Sequence, residues 1–148
     1  MAKIGLKVTR MFFDRKAVKD AVDRGKRKVL SKFGAFVRQR AKTSIRKRKR
    51  ISAPSQPPSS HTGLLKKFIF FAYDRERDSV VIGPERLNQK TGDAPPALEH
   101  GGRSRVTSGG RRNKRVVRTV TIRQRPYMGP AFEKEKGGLP KLWKDSVK

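Results

Sequence analysis

Val18, Val22, Val29, Phe33, Val37, Ala41 and Ile45 follow one another at spacings of four or seven residues, which commits the front of the chain to one long helix with a single apolar face. Asp14 stands where its carboxylate can accept the free amide hydrogens of the first turn. Asp20 and Arg24, and Asp23 and Arg27, are acid-before-base pairs four residues apart, each expected to add a few tenths of a kcal/mol. Gly25 and Gly34 weaken the middle of the helix by about 1 kcal/mol each relative to Ala, so a bend or a close contact is expected there. The helix is expected to stop near Arg50, because the prolines of Ser52 to Ser60 hold themselves and their predecessors extended. With no apolar anchor in it, that proline- and serine-rich loop reads as a mobile arm.

The remainder reads as short strands and turns. Ile4, Leu6 and Val8 alternate with Lys3, Gly5, Lys7 and Thr9, the period of a half-buried strand. Phe68 to Tyr73 and Ser79 to Gly83 are β-rich runs around the polar Asp74 to Asp78, which predicts a hairpin with about half of its aromatic side chains in the core and the rest outward. Ala97 to His100 is read as a helical turn ending at Gly101, and Arg115 to Arg123 as a further strand with Val116, Val120 and Ile122 on one face. Pro126 or Pro130 can open a last helix, where Tyr127, Met128, Ala131 and Phe132 gather into an apolar stripe expected to pack on the sheet beside the long helix. Gly137-Gly138-Leu139-Pro140 breaks that helix, and Leu139, Leu142, Trp143 and Val147 resume a helical spacing. The order implies an α+β fold: a small antiparallel β-sheet packed against a long N-terminal α-helix, with a C-terminal helix. Residues 1–148 are read as a single domain, with the loop at 52–60 and a basic loop at 102–115.

Charge constrains the partner more than the fold. Lys and Arg number 39 against 12 Asp and Glu, a formal net charge of +27. Solubility of a small domain needs a net charge of only about 2 to 8 in magnitude, so the excess calls for an anionic neighbour. Two basic runs contain no acid. The first includes Arg46, Lys47, Arg48, Lys49 and Arg50, and exceeds what is needed to complement the negative end of a helix dipole. The second includes Arg103, Arg105, Arg111, Arg112, Lys114 and Arg115 around Ser108-Gly109-Gly110, a composition equally suited to disorder in the free subunit and to ordering on an anion.

Other chemistries find little support. The chain has no cysteine, so disulfides and thiolate metal sites are excluded. His61 and His100 lack any accompanying metal-ligand pattern, and His100-Gly101-Gly102 has no Gly-x-Ser-x-Gly partner to make it an oxyanion loop. Phosphate and dinucleotide loops are also missing, and Glu133 and Glu135 read as surface charges, so neither an enzyme nor a cofactor is expected. The longest apolar run, Phe68 to Ala72, falls short of the roughly 18 residues of a membrane span. Met1 to Gly5 begins no apolar signal stretch, and a cytoplasmic site of synthesis is expected.

Three pieces stand in fixed order: Ser60-His61-Thr62-Gly63-Leu64-Leu65, Ala97-Leu98-Glu99-His100-Gly101-Gly102, and Arg125-Pro126-Tyr127-Met128-Gly129-Pro130-Ala131-Phe132. The first resembles the Thr-Gly-x-Leu turn of the tail-completion proteins of tailed bacteriophages. The second and third resemble that family's small-apolar-Glu-aromatic-Gly helix end and its Arg-Pro-aromatic-x-x-Pro-Ala helix start. The resemblance runs from about Val18 to Phe132, and departs from the family where Gly137 to Pro140 interrupts a final helix that is usually continuous. It implies a structural virion protein of the neck, assembled in the host cytoplasm, which works as one subunit of a homo-oligomeric ring between tail-tube or tail-terminator proteins and the head connector. On that reading the basic segments face either DNA in the channel or acidic surfaces of the connector. A second class, a cytoplasmic nucleic-acid-binding protein of ribosomal type, is suggested by charge alone, without the aromatic or Gly-x-x-Gly patterns of common RNA modules.

Overall fold

The computed structural model describes residues 14–85, 94–109, 115–144 and 146. The expected strand at Ile4 to Val8 lies outside them, as do Arg111, Arg112 and Lys114. The architecture is α+β, built around helix α1, Arg15–Ser44. Asp14 caps it as the sequence suggests, its carboxylate accepting the Ala17 amide hydrogen at 3.0 Å. The stripe becomes core from the middle of the helix onward: Val29, Phe33, Val37 and Ala41 are buried, whereas Val18 and Val22 remain exposed.

α1 ends earlier than the expected Arg50. The Ser44 hydroxyl donates to the Ala41 carbonyl, a last-turn acceptor, while the Thr43 hydroxyl back-bonds to the Gln39 carbonyl one turn earlier. Ile45 then turns extended and is almost wholly buried. The first basic run is therefore not a helix end. It starts as strand β1, Arg46–Lys47, in parallel register with β2, Ser59–Ser60. That pairing closes 46–60 into a loop, and the Ser52 to Ser60 segment expected as a mobile arm is anchored at its two ends, with 53–57 exposed between them. Ser52, Pro58 and Ser60 are buried. Backbone and side-chain groups from far along the chain hold the segment: the Ser55 amide donates to the Gln124 carbonyl at 2.9 Å, and Arg125 Nε to the Ser52 carbonyl at 3.0 Å.

Short helix α2, Leu64–Lys67, leads into the hairpin of β3, Ile69–Asp74, and β4, Ser79–Pro84. Pleating sends Ile69, Phe71, Tyr73, Val80 and Ile82 towards α1 and leaves Phe70, Ala72 and Val81 outward; the alternation is as expected, but Phe68, Phe71 and Tyr73 are only half-buried and the run's core residue is Ile69. Gly34 is where helix and hairpin meet: a Cβ there would lie 2.7 Å from Val80 Cγ2 and 3.0 Å from Phe71 Cδ2. The hairpin end is also clamped to the helix. Asp78 accepts from Tyr73 Oη at 2.7 Å and from Lys26 Nζ at 2.9 Å. Lys26 also pairs with Asp23 at 3.1 Å, so the acid engages a residue three positions on rather than the expected Arg27. Arg27 lies over the Tyr73 ring instead.

Helix α3, Ala94–His100, ends at Gly101 with φ 78°, a left-handed conformation that suits glycine. Strands β5, Gly102–Gly109, and β6, Arg115–Ile122, pair antiparallel with Arg103 opposite Thr121 and Arg105 opposite Thr119. The segment read as a basic loop at 102–115 is thus mostly a strand ladder, because β-branched Val116 to Ile122 give Gly102 to Gly109 a partner. Among the described residues the strands form three separate pairs, β1 with β2 parallel and the other two antiparallel.

Helices α4, Met128–Lys136, and α5, Leu139–Lys144, close the chain. The expected stripe packs on α1 rather than on the sheet. Tyr127 and Ala131 enter the core with Phe33, Val37, Ala41, Ile45, Leu65 and Ile69. Phe132 stays 41% exposed and meets Phe33 edge to face at 5.7 Å. Among the described residues, no helix is long and apolar enough to cross a membrane.

Candidate anion-binding cleft

Glu99 ties the second sequence piece to the third. Its Oε2 accepts the amide hydrogens of Tyr127 at 2.9 Å and Met128 at 3.0 Å, and its Oε1 accepts that of Gly129 at 2.7 Å. One carboxylate so satisfies three amides at the start of α4 and places a negative charge at the positive end of the helix. Gly129 allows the approach, since a Cβ there would stand 3.1 Å from Glu99 Oε1. The Arg125 amide donates to the Leu98 carbonyl, a second link between the same pieces. Burial, and secondarily the Glu99 charge, push the Tyr127 hydroxyl well above its ordinary value, so the ring enters the core uncharged. In the first piece, Ser60 Oγ accepts the Gly63 amide and so shapes the turn into α2.

These pieces meet at a cleft of about 170 Å³ lined by Arg48, Lys49, Arg50, Ser52, His61 and Arg125, with Ile51, Pro58, Ser59 and Leu98 completing the walls. Each piece contributes a wall residue: His61 from the first, Leu98 from the second and Arg125 from the third. Arg48 Nε donates to Ser59 Oγ at 2.8 Å, which holds this side chain along β2. Arg125 is fixed by its bonds to the Ser52 and Arg123 carbonyls. Ser52 is 3% exposed, and its hydroxyl has no hydrogen-bond partner among the described residues. The ion pairs among the described residues join Lys26 to Asp23 and Asp78, Arg40 to Glu135, and Lys136 to Glu133, and none involves a cation of this cleft. Such a site offers donors and positive charge with no counter-ion among the described residues, the chemistry of oxyanion binding.

The structure divides the expected contact residues. Arg48, Lys49 and Arg50 line the cleft, while Arg46 and Lys47 are exposed along β1. Arg103 and Arg105 are exposed on β5 and do not line it, and only the backbone of Arg115 is described, at the start of β6. Ser52 and His61 are residues that sequence reasoning did not place in a binding site. Nothing in the local pattern marks Ser52, whose surroundings come from residues about seventy positions away. A second cationic group surrounds Lys42, where burial, then the charges of Arg38 and Lys66, push the amine below its ordinary value. Arg38 Nε is engaged there by the Ile69 carbonyl at 2.8 Å. No family model, curated protein or solved structure matches the chain.

Proposed function

We propose that the chain is a structural virion protein of a tailed phage, completing the tail and joining it to the head connector as one subunit of a ring in the neck. The observation that carries this reading is the joint made by Glu99 with the amides of Tyr127, Met128 and Gly129. It makes two of the resembling pieces a single structural unit, and the cleft beside it draws a wall from all three. Function on this reading is binding alone, without cofactor or catalysis.

The charge supplies a second support. A chain of net charge +27 repels its own copies, so ring contacts belong on surfaces free of cations. The outward face of the β3–β4 hairpin offers one, since Phe70, Ala72, Val81 and Gly83 carry no charge and Phe70 and Val81 are 46% and 61% exposed. A head-to-tail contact through that face closes into a ring when its rotation closes.

Light scattering of nuclease-treated protein tests the reading. A ring subunit associates into a discrete oligomer without nucleic acid, and Val81→Asp returns it to a monomer. A wild-type chain that is monomeric alone and also fails to join isolated tails or connectors contradicts the proposal and favours the ribosomal-type alternative.

A further inference from the structure

We infer that the cleft between the 46–60 loop and Arg125 captures a single carboxylate side chain from an acidic loop of a partner protein, rather than the phosphodiester backbone of DNA. The inference rests on the neck-subunit reading for its setting and decides which anion the first basic run meets.

Three observations favour the carboxylate. First, the cleft is recessed: Ser52 is 3% exposed and Pro58 is buried, so an anion must enter on a slender stem, and the Ser52 hydroxyl meets it by turning about Cα–Cβ towards the cleft. A backbone phosphate stands on a broad ridge between sugars and meets protruding cations more readily than a recessed hydroxyl. Second, the volume of about 170 Å³ is below the roughly 300 Å³ at which sites for whole small molecules begin, which suits the end of one side chain. Third, the walls are mixed. Ile51, Pro58 and Leu98 can lie against the methylenes of an acidic side chain, while Arg48, Arg50 and Arg125 supply charge at its tip. The Ser52 hydroxyl, unpartnered among the described residues, then donates to a carboxylate oxygen.

This assignment gives Ser52 an unusual signature. Replacing a buried hydroxyl that lacks a partner by a methyl group removes a desolvation cost, so Ser52→Ala should leave the melting temperature unchanged or raised. The same change should weaken capture of a carboxylate. A purely structural serine would behave in the opposite way.

The experiment measures binding of a fluorescein-labelled decaglutamate peptide and of a 20-base-pair DNA duplex to the full chain after nuclease treatment, at fixed salt. Ser52→Ala is expected to weaken the peptide about tenfold, the scale of one hydrogen bond to a charged group, and to leave the duplex affinity unchanged. Arg50→Gln, at an exposed position, is expected to weaken the peptide more than Lys16→Gln, which removes the same charge on the exposed start of α1. Unchanged peptide binding in Ser52→Ala overturns the inference. So does equal weakening by Arg50→Gln and Lys16→Gln, which would mean attraction by net charge alone. Loss of duplex binding in Ser52→Ala equal to loss of peptide binding would assign the cleft to phosphate instead. Light scattering and joining to isolated tails or connectors, on the same samples, separate the two readings: a chain that stays monomeric, fails to join either and still binds the peptide through Ser52 ends the ring proposal and leaves the cleft.

Discussion

Glu99 and Tyr127 are 28 residues apart in sequence, yet the carboxylate of the first holds the amide of the second at 2.9 Å, immediately before the tyrosine ring enters the core. Cap and anchor are consecutive steps of one chain reversal. Glu99→Gln replaces one accepting oxygen with a donor that faces amide hydrogens. The expected loss is about 1 to 2 kcal/mol, the upper range for a helix cap, with α4 fraying first. Chemical denaturation combined with amide exchange at Met128 to Ala131 checks it, and equal stability of the variant would show that other groups satisfy these amides.

Burial ranks the aromatic residues of the last helix. Tyr127 is 1% exposed at the centre of the core, so Tyr127→Ala should cost about 3 to 5 kcal/mol. Phe132 is partly exposed and contributes mainly its edge-to-face contact with Phe33, so Phe132→Ala should cost nearer 1 to 2 kcal/mol, roughly the pair energy and part of its burial. Thermal melts of both variants should reproduce that order, and an equal or reversed order would contradict the packing of α4 on α1.

Gly34→Ala tests the contact of helix and hairpin. On an exposed helix this change would gain about 1 kcal/mol. Here the added methyl meets Val80 Cγ2 at 2.7 Å, on a β-branched side chain with little freedom to move, and overpacking should outweigh the gain by about 1 to 2 kcal/mol. A lower melting temperature is the expected result, and a higher one would mean that the hairpin can shift away without loss.

The Lys26–Asp78–Tyr73 clamp should have a pH window. The Tyr73 hydroxyl, then Lys26, hold Asp78 below the ordinary carboxylate range. Its contribution is complete above the unfolded value and is lost as pH falls through the lower folded one. Asp78, as first cause, raises both Lys26 and Tyr73, whose contributions are complete below their unfolded values and lost as pH rises through the folded ones. Protection of the amides in the 75–78 turn, taken relative to their intrinsic exchange rate at each pH, should be greatest between these limits and smaller beyond both. Asp78→Asn keeps a residue suited to the left-handed backbone at φ 46° while removing the charge, and should abolish the acid limb. A wild-type profile with no acid limb would exclude the clamp.

What was legible in the sequence depended on how far apart the determining residues stand. The Asp14 cap, the β3–β4 hairpin and the Gly101 turn follow from neighbours within a few positions, and each formed where periodicity and turn chemistry placed it. The end of α1 did not, because Arg46 to Arg50 are acceptable in a helix and only the burial of Ile45 and the parallel pairing with Ser59 and Ser60 draw them out of one. The 52–60 loop looked free for the same reason. Its anchors, Gln124 and Arg125, lie about seventy residues downstream, and a proline-rich segment carries no sign of them. Of the cleft, the cations were apparent as composition, whereas Ser52 and the walls around it arise only from the fold.

The late position of Leu98 and Arg125 in the chain sets the order in which the cleft acquires its charge and its shape. A nascent or truncated chain that stops before residue 98 already carries all of Arg46 to Arg50 and their attraction for any anion, but it lacks Leu98 and Arg125, two walls of the cleft. Charge is present from early in synthesis; shape comes last. On the carboxylate-capture proposal, a partner that reads the recess rather than the charge would therefore recognise complete chains and ignore incomplete ones.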